Sequence, residues 1–180
     1  MARVLRRIVF GNPLLRKSAR QLSTQEIISP EFMQLVEDMQ HTLETKKYGV
    51  ALAAPQVGRS VAIIVVGVKP TPTRPQLKHH AQVYINPVIT QFYGQTKPEW
   101  EGCISLGATS DPIFAQTLRY PKIDVQFIDL TGAEHQETVE GFLAQVLQHE
   151  IDHLNGILFT DRVADMSSFM NASEYKKLAL

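Results

Sequence analysis

GFLAQVLQHEIDHLNG, residues 141–156, reads as a helix that is apolar around most of its circumference and yet carries two histidines and a glutamate. Phe142, Val146, Leu147, Ile151 and Leu154 surround His149, Glu150 and His153, and Asn155-Gly156 is a C-terminal stop signal. Such a helix is mostly buried, and buried imidazoles and carboxylates are costly unless they are paired or bound to a metal. The setting therefore disfavours the plainer reading of a solvated polar face. Residues four apart on a helix are separated by about 40° around the axis and about 6 Å along it, so His149 and His153 can address one ion, with Glu150 at its rim.

Two histidines do not complete an open metal site, which usually takes three protein ligands and leaves a fourth position free. Two residues are candidates for the third. Glu174 lies downstream at a spacing that a thermolysin-like peptidase would accept, but in a polar tail, NASEYKKLAL, with little around it to fix a ligand. Cys103 lies upstream in WEGCISL, where Gly102 lets backbone come close and the following residues continue an extended pattern. A lone cysteine is more often an inert buried filler. The neighbourhood nevertheless favours Cys103.

Outward from this helix, SPEFMQLVEDMQHTLETKKYG predicts an N-terminal helix: Ser29 caps it, Pro30 suits its first position, Phe32, Leu35, Val36, Met39 and Leu43 form its apolar face, and Gly49 is a place for it to have ended. GVALAAPQVG (49–58) is built of small residues between glycines and feeds a buried strand, VAIIVVGV (61–68). KPTPTRPQLKHH (69–80) is a proline-punctuated loop. VYINPVIT (83–90) and KIDVQFIDLTG (122–132) read as strands, the second turning at Thr131-Gly132 into HQETV. The expectation is a single α+β domain over 1–180, with largely antiparallel sheets packed around a central metal-binding helix.

The chain has 18 Lys plus Arg against 18 Asp plus Glu, so no overall field points to nucleic acid or an anionic membrane as partner. Its longest apolar run is too short to cross a bilayer. With 1 cysteine an intrachain disulfide is impossible, and a reducing compartment is expected. The basic, acid-free first twenty residues faintly resemble an organelle transit segment, but the turn signal GNP at 11–13 sits inside them.

Three separated stretches, GVALAAPQVG (49–58), EGCISL (101–106) and QHEIDHLNGILFTDR (148–162), closely resemble in this order the three motifs of the peptide deformylases. GNPLLRKSA (11–19) also resembles the start of that family, which further weakens the transit reading. The resemblance implies that Cys103, His149 and His153 hold one divalent ion, ferrous iron in cells, with zinc, nickel or cobalt able to substitute. It implies that Glu150 is the general base and later acid, and that Gln56 and the backbone N–H of Ile104 receive the oxyanion. The substrate would be the N-formyl-methionyl end of a new polypeptide, met in the cytoplasm at or near the ribosome. Phe142 and Val146, seven and three residues before His149, are candidate walls of the methionine pocket, as is Val50, although ordinary core packing explains them equally well.

The resemblance further implies an ion pair between Glu101 and Arg119. This chain departs from the family pattern at Ala51, where glycine is usual and where the backbone would receive substrate as an added strand, so that a methyl group narrows the cleft. It departs again at Gln145, and in SLGATSDPIFAQT, which replaces a proline-containing turn and reads as a loop of unpredictable course. A deformylase-like domain that binds formylated ends without turnover is the alternative raised by Ala51. The tail SSFMNASEYKKLAL is a possible short helix for reaching a partner.

Overall fold

The computed structural model describes residues 1–45, 49–71, 74–108 and 110–178. In chain order its elements are α1 (Thr24–Ile27), α2 (Pro30–Glu44), β1 (Ala51–Ala53), β2 (Ile63–Val68), β3 (His80–Tyr93), β4 (Lys97–Ala108), β5 (Asp111–Arg119), β6 (Lys122–Ile128), β7 (Glu134–Glu140), α3 (Gly141–Leu154), β8 (Met170–Asn171) and α4 (Ala172–Leu178), with short 3-10 turns between them. Two antiparallel sheets result, one ordered β1-β2-β3-β6-β7 and the other β4-β5-β8. The α+β class with antiparallel sheets around few helices is as expected.

The apolar run of β2 is explained by burial on both faces. Ile64 and Val66 join Ala51, Ala53, Tyr84, Val125 and Leu147 in the core under α3, whereas Ile63 and Val65 join Phe32, Val36, Met39 and Leu52 in the core under α2. Each fully buried side chain of this size contributes about 1.5–3 kcal/mol relative to exposure. The larger sheet is thus covered by α2 on one face and α3 on the other. α2 starts as expected, with Ser29 accepting from Phe32 N and Pro30 in the first position, but it ends at Glu44. The expected stop at Gly49 follows residues 46–48, which lie outside the described residues. None of the described helices is long and apolar enough to cross a membrane.

α3 ends at the expected signal, with Asn155 as its cap and Gly156 at φ 72°. A Cβ at Gly156 would sit 2.7 Å from the backbone carbonyl of Arg16, where no side chain can give way. Gly156→Ala is therefore expected to cost about 2–3 kcal/mol from left-handed backbone plus overpacking, read as a lowered unfolding midpoint in urea.

The segment after Cys103 is where the expectation fails. Instead of a loop at 106–118, β4 and β5 form a long hairpin whose register skips between Gly102↔Phe114 and Gly107↔Pro112. The residues from Cys103 to Leu106 thus bulge out of the ladder, as strands commonly do beside functional sites. The inward positions of β4 and β5 are Glu101, Cys103 and Ser105, and Ala115, Thr117 and Arg119. Polar groups occupy the face that normally carries the apolar signal, so the alternation that identifies a strand is hidden.

Candidate metal centre

α3 and the bulge of β4 bring Cys103, His149 and His153 together, with donor atoms all within 4.8 Å of one another. His153 Nε2 lies 3.2 Å from Cys103 Sγ. His149 Nδ1 lies 2.9 Å from Glu101 Oε2, and since an ionised carboxylate only accepts, Nδ1 carries a proton and Nε2 is left to act as a ligand. Burial alone would push the Cys103 thiol up, but the charges and hydrogen bonds of His153 and His149 outweigh it and hold the group well below the ordinary thiol value. Burial likewise opposes a charge on His149, and its bonds to Cys103 and Glu101 reverse that, raising it well above the usual imidazole value.

The donor set fits a divalent ion. One thiolate and two imidazoles suit iron, zinc, cobalt or nickel, and the cluster leaves Glu150 Oε2 and His153 Nδ1 buried with no hydrogen-bond partner among the described residues. Glu150, expected at the rim of the ion, is buried as the apolar helix implied. Burial pushes its carboxyl up, against the pull of His149 and His153, a direction that would suit proton transfer near neutral pH.

Beneath the histidines lies a buried ionic network. Arg119 Nε donates to Glu101 Oε1 at 2.7 Å and its Nη1 to Asp152 Oδ2 at 2.6 Å, while Arg162 Nη2 reaches Asp152 Oδ1 at 2.8 Å. Burial pushes Glu101 up, but His149 and Arg119 together hold it at about 2. The expected Glu101–Arg119 pair is therefore present, and it orients His149. Asp152 and Arg162 were not anticipated, although both fall within the third motif. Arg119→Met would strand Glu101 and Asp152 without their shared cation. It is expected to destabilise the fold by about 3–5 kcal/mol, read by denaturant unfolding.

Gln56 is buried on the 3-10 turn after β1, where its Oε1 accepts from Ala53 N at 2.8 Å. That bond aims its Nε2 at Cys103 Sγ (3.5 Å) and Ser105 Oγ (3.4 Å), so the amide faces the cluster. Ile104 follows Cys103 within the bulge. β1 is the edge of the larger sheet and bonds only β2 there, which leaves its other side available to an extended chain. Ala51 sits on this edge strand with its side chain in the core under α3. Its methyl group is thus taken up in packing and does not lie along the open edge.

Val50, Ala51, Phe142 and Val146 belong to one apolar cluster, and the Arg74 guanidinium lies 4.3 Å over the Phe142 ring. None of the four lines the small crevice against Cys103 and His153, which is walled by Phe10, Leu15, Leu106, Leu158 and Phe159. Gln145 turns toward β4 and donates to Trp100 O at 2.8 Å. Glu174 is placed elsewhere: it lies on exposed α4, paired with Lys177 at 2.8 Å, and is not part of the cluster. The tail does contain a short helix, which packs back through Tyr175, stacked on Phe114 at 4.5 Å.

A cysteine from a bulged strand, two imidazoles one helical turn apart and a buried carboxylate beside them make a cluster that could hold one metal ion, the arrangement of a mononuclear metallohydrolase. The family described as polypeptide deformylase matches residues 5–169. Peptide deformylase 1 of Nitrosomonas europaea is 38% identical over 161 residues, covering 89% of this chain and 88% of that protein. Among solved structures, a class I type b peptide deformylase of Acinetobacter baumannii with Met-Ala-Ser bound superposes with TM-score 0.83 and 34% identity, over 91% of this chain and 100% of that one. A peptide deformylase from Thermotoga maritima gives TM-score 0.76 and 34% identity, over 90% and 99% of the two chains. The chain belongs to the polypeptide deformylase family, whose reaction removes the N-formyl group from the N-terminal methionine of nascent chains.

Proposed function

We propose that this chain carries out the family's reaction as a metal-dependent enzyme, with Cys103, His149 and His153 holding one ferrous ion. The observation that carries this reading is the convergence of those three donors beside the unpartnered, buried Glu150 Oε2. When bound, the ion supplies Lewis acidity, polarising the formyl carbonyl and making water a better nucleophile near neutral pH.

Glu150 accepts a proton from the attacking water and returns it to the departing methionine amine; the formyl C–N bond breaks, leaving formate and a free N-terminus. As the formyl oxygen gains negative charge, Gln56 Nε2 and the Ile104 N–H donate to it, each worth about 2–4 kcal/mol in comparable sites. The peptide extends along the open edge of β1 at Val50 and Ala51, with its methionine side chain against Phe142 and Val146. Residues 1–180 act as one catalytic domain. The substrate places it in the cytoplasm, where new chains emerge from ribosomes. The Met-Ala-Ser in the Acinetobacter baumannii relative supports a peptide end as the ligand.

The test is metal removal. Chelated protein, verified metal-free by elemental analysis, is expected to release no formate from a formyl-methionyl peptide and to recover on adding ferrous iron anaerobically. Undiminished release from the metal-free protein would overturn the reading.

A further inference from the structure

The N-terminal segment runs over both groups assigned above to the oxyanion. Arg3 N and Nε each bond buried Asp38 at 2.9 Å, and Leu5 N donates to Thr42 Oγ1 at 2.8 Å, which ties the segment to α2. Farther on, Ile8 N donates to Gln56 O at 2.7 Å and Phe10 N to Ser105 O at 2.8 Å. Just before them in the chain, the Arg7 guanidinium donates to Ile104 O and, at 3.4 Å, to Gly107 O.

We propose that Arg7 is a positioning residue, which sets the Ile104 N–H against the Gln56 side chain by gripping the β4 bulge. The proposal rests on the reading of Gln56 and Ile104 as oxyanion donors. Gln56 lies on the 3-10 turn after β1 of the larger sheet and Ile104 on β4 of the smaller one, where β4 has left its ladder with β5. The direct contacts from Gln56 to this strand are a 3.4 Å approach to Ser105 Oγ, long for an amide donor, and an ordinary 3.5 Å contact to the sulfur of Cys103, and neither touches the Ile104 carbonyl that Arg7 holds. A guanidinium is a rigid planar fork that can serve two carbonyls at once. Ile104 O, within the bulge, is the main acceptor, and Gly107 O at its end is a longer second one at 3.4 Å, so one side chain reaches across it. Fixing the Ile104 carbonyl restrains the rotation of that residue, and with it the direction of its N–H. The same segment holds Gln56 through Ile8 N, so the adjacent residues 7 and 8 connect the two donors.

The test compares Arg7→Ala, Arg7→Lys, Gln56→Ala and the Arg7→Ala/Gln56→Ala double variant, each loaded with cobalt. The readouts are kcat and KM for a formyl-methionyl peptide, the visible cobalt spectrum and the melting midpoint. Arg7→Ala is expected to lower kcat about tenfold, as small misplacements of reacting geometry do, with KM changed less than about twofold and an unaltered cobalt spectrum. In the Gln56→Ala background the same change is expected to cost clearly less, because both residues act on one oxyanion. If Arg7→Ala does not fold, Arg7→Lys decides: it keeps the charge but not the fork, and kcat is expected to fall severalfold. Wild-type kcat in the folded variants, a loss confined to KM or to metal content, or full additivity with Gln56→Ala overturns the proposal while leaving the deformylase reading intact. An inactive, metal-loaded wild type would overturn both.

Discussion

Glu150→Gln is expected to lower kcat by about 10³-fold or more while the protein keeps its metal and its fold. The glutamine is nearly isosteric, so the packing of α3 is preserved, and among the described residues Glu150 Oε2 has no hydrogen-bond partner whose loss would leave a gap in the fold. What the amide cannot do is accept a proton from water and hand it to the leaving amine, a role generally worth about 10²–10⁴-fold. Burial raises the Glu150 carboxyl, so neutralising the side chain also removes a buried charge that the fold disfavours. Stability should therefore be unchanged or slightly increased. The decisive pairing is formate release alongside metal content: a loss of activity that tracks a loss of metal would assign Glu150 to ligand support instead of proton transfer.

Cys103→Ala is expected to remove stoichiometric metal, lowering affinity by more than about 100-fold, the upper end of what losing a supporting hydrogen-bond partner costs. Two imidazoles remain, held by α3 and, for His149, by Glu101, but two neutral ligands neither offset the ion's charge nor close its coordination. Glu174→Ala is the matched control and should leave metal content untouched, because Glu174 pairs with Lys177 on exposed α4. Competition against a calibrated chelator measures both. Metal retained in Cys103→Ala at wild-type affinity would contradict the assignment of the third ligand.

The helical elements were readable because their signals are local. Ser29-Pro30 and Asn155-Gly156 are capping chemistry, and the apolar spacing of α2 and α3 survives in the structure with small shifts at the ends. The strand β2 was readable because it is buried on both faces, which makes its apolar run continuous. The β4–β5 hairpin was not, for a physical reason: its inward face carries Glu101, Cys103, Ser105, Thr117 and Arg119, so its hydrophobic period is absent where the chemistry is present. That Cys103, His149 and His153 come together was legible from the motifs, whereas Arg119 with Asp152, and Arg7 with Gly107, meet across long stretches of chain that no local pattern encodes, and the Asp152–Arg162 pair lies within the third motif without a spacing signal of its own. Ala51 shows the converse. It is a departure at a sensitive place in the sequence, yet its side chain turns into the core of the larger sheet.

The most direct measurement is formate release by anaerobically purified, iron-loaded protein from a short formyl-methionyl peptide, with the acetylated peptide as control. The account predicts rapid, catalytic release from the formyl peptide alone, lost in Glu150→Gln and Cys103→Ala. Absence of release from fully metal-loaded wild-type protein, with the formyl peptide bound but intact, would contradict it and make the chain a receptor for formylated ends.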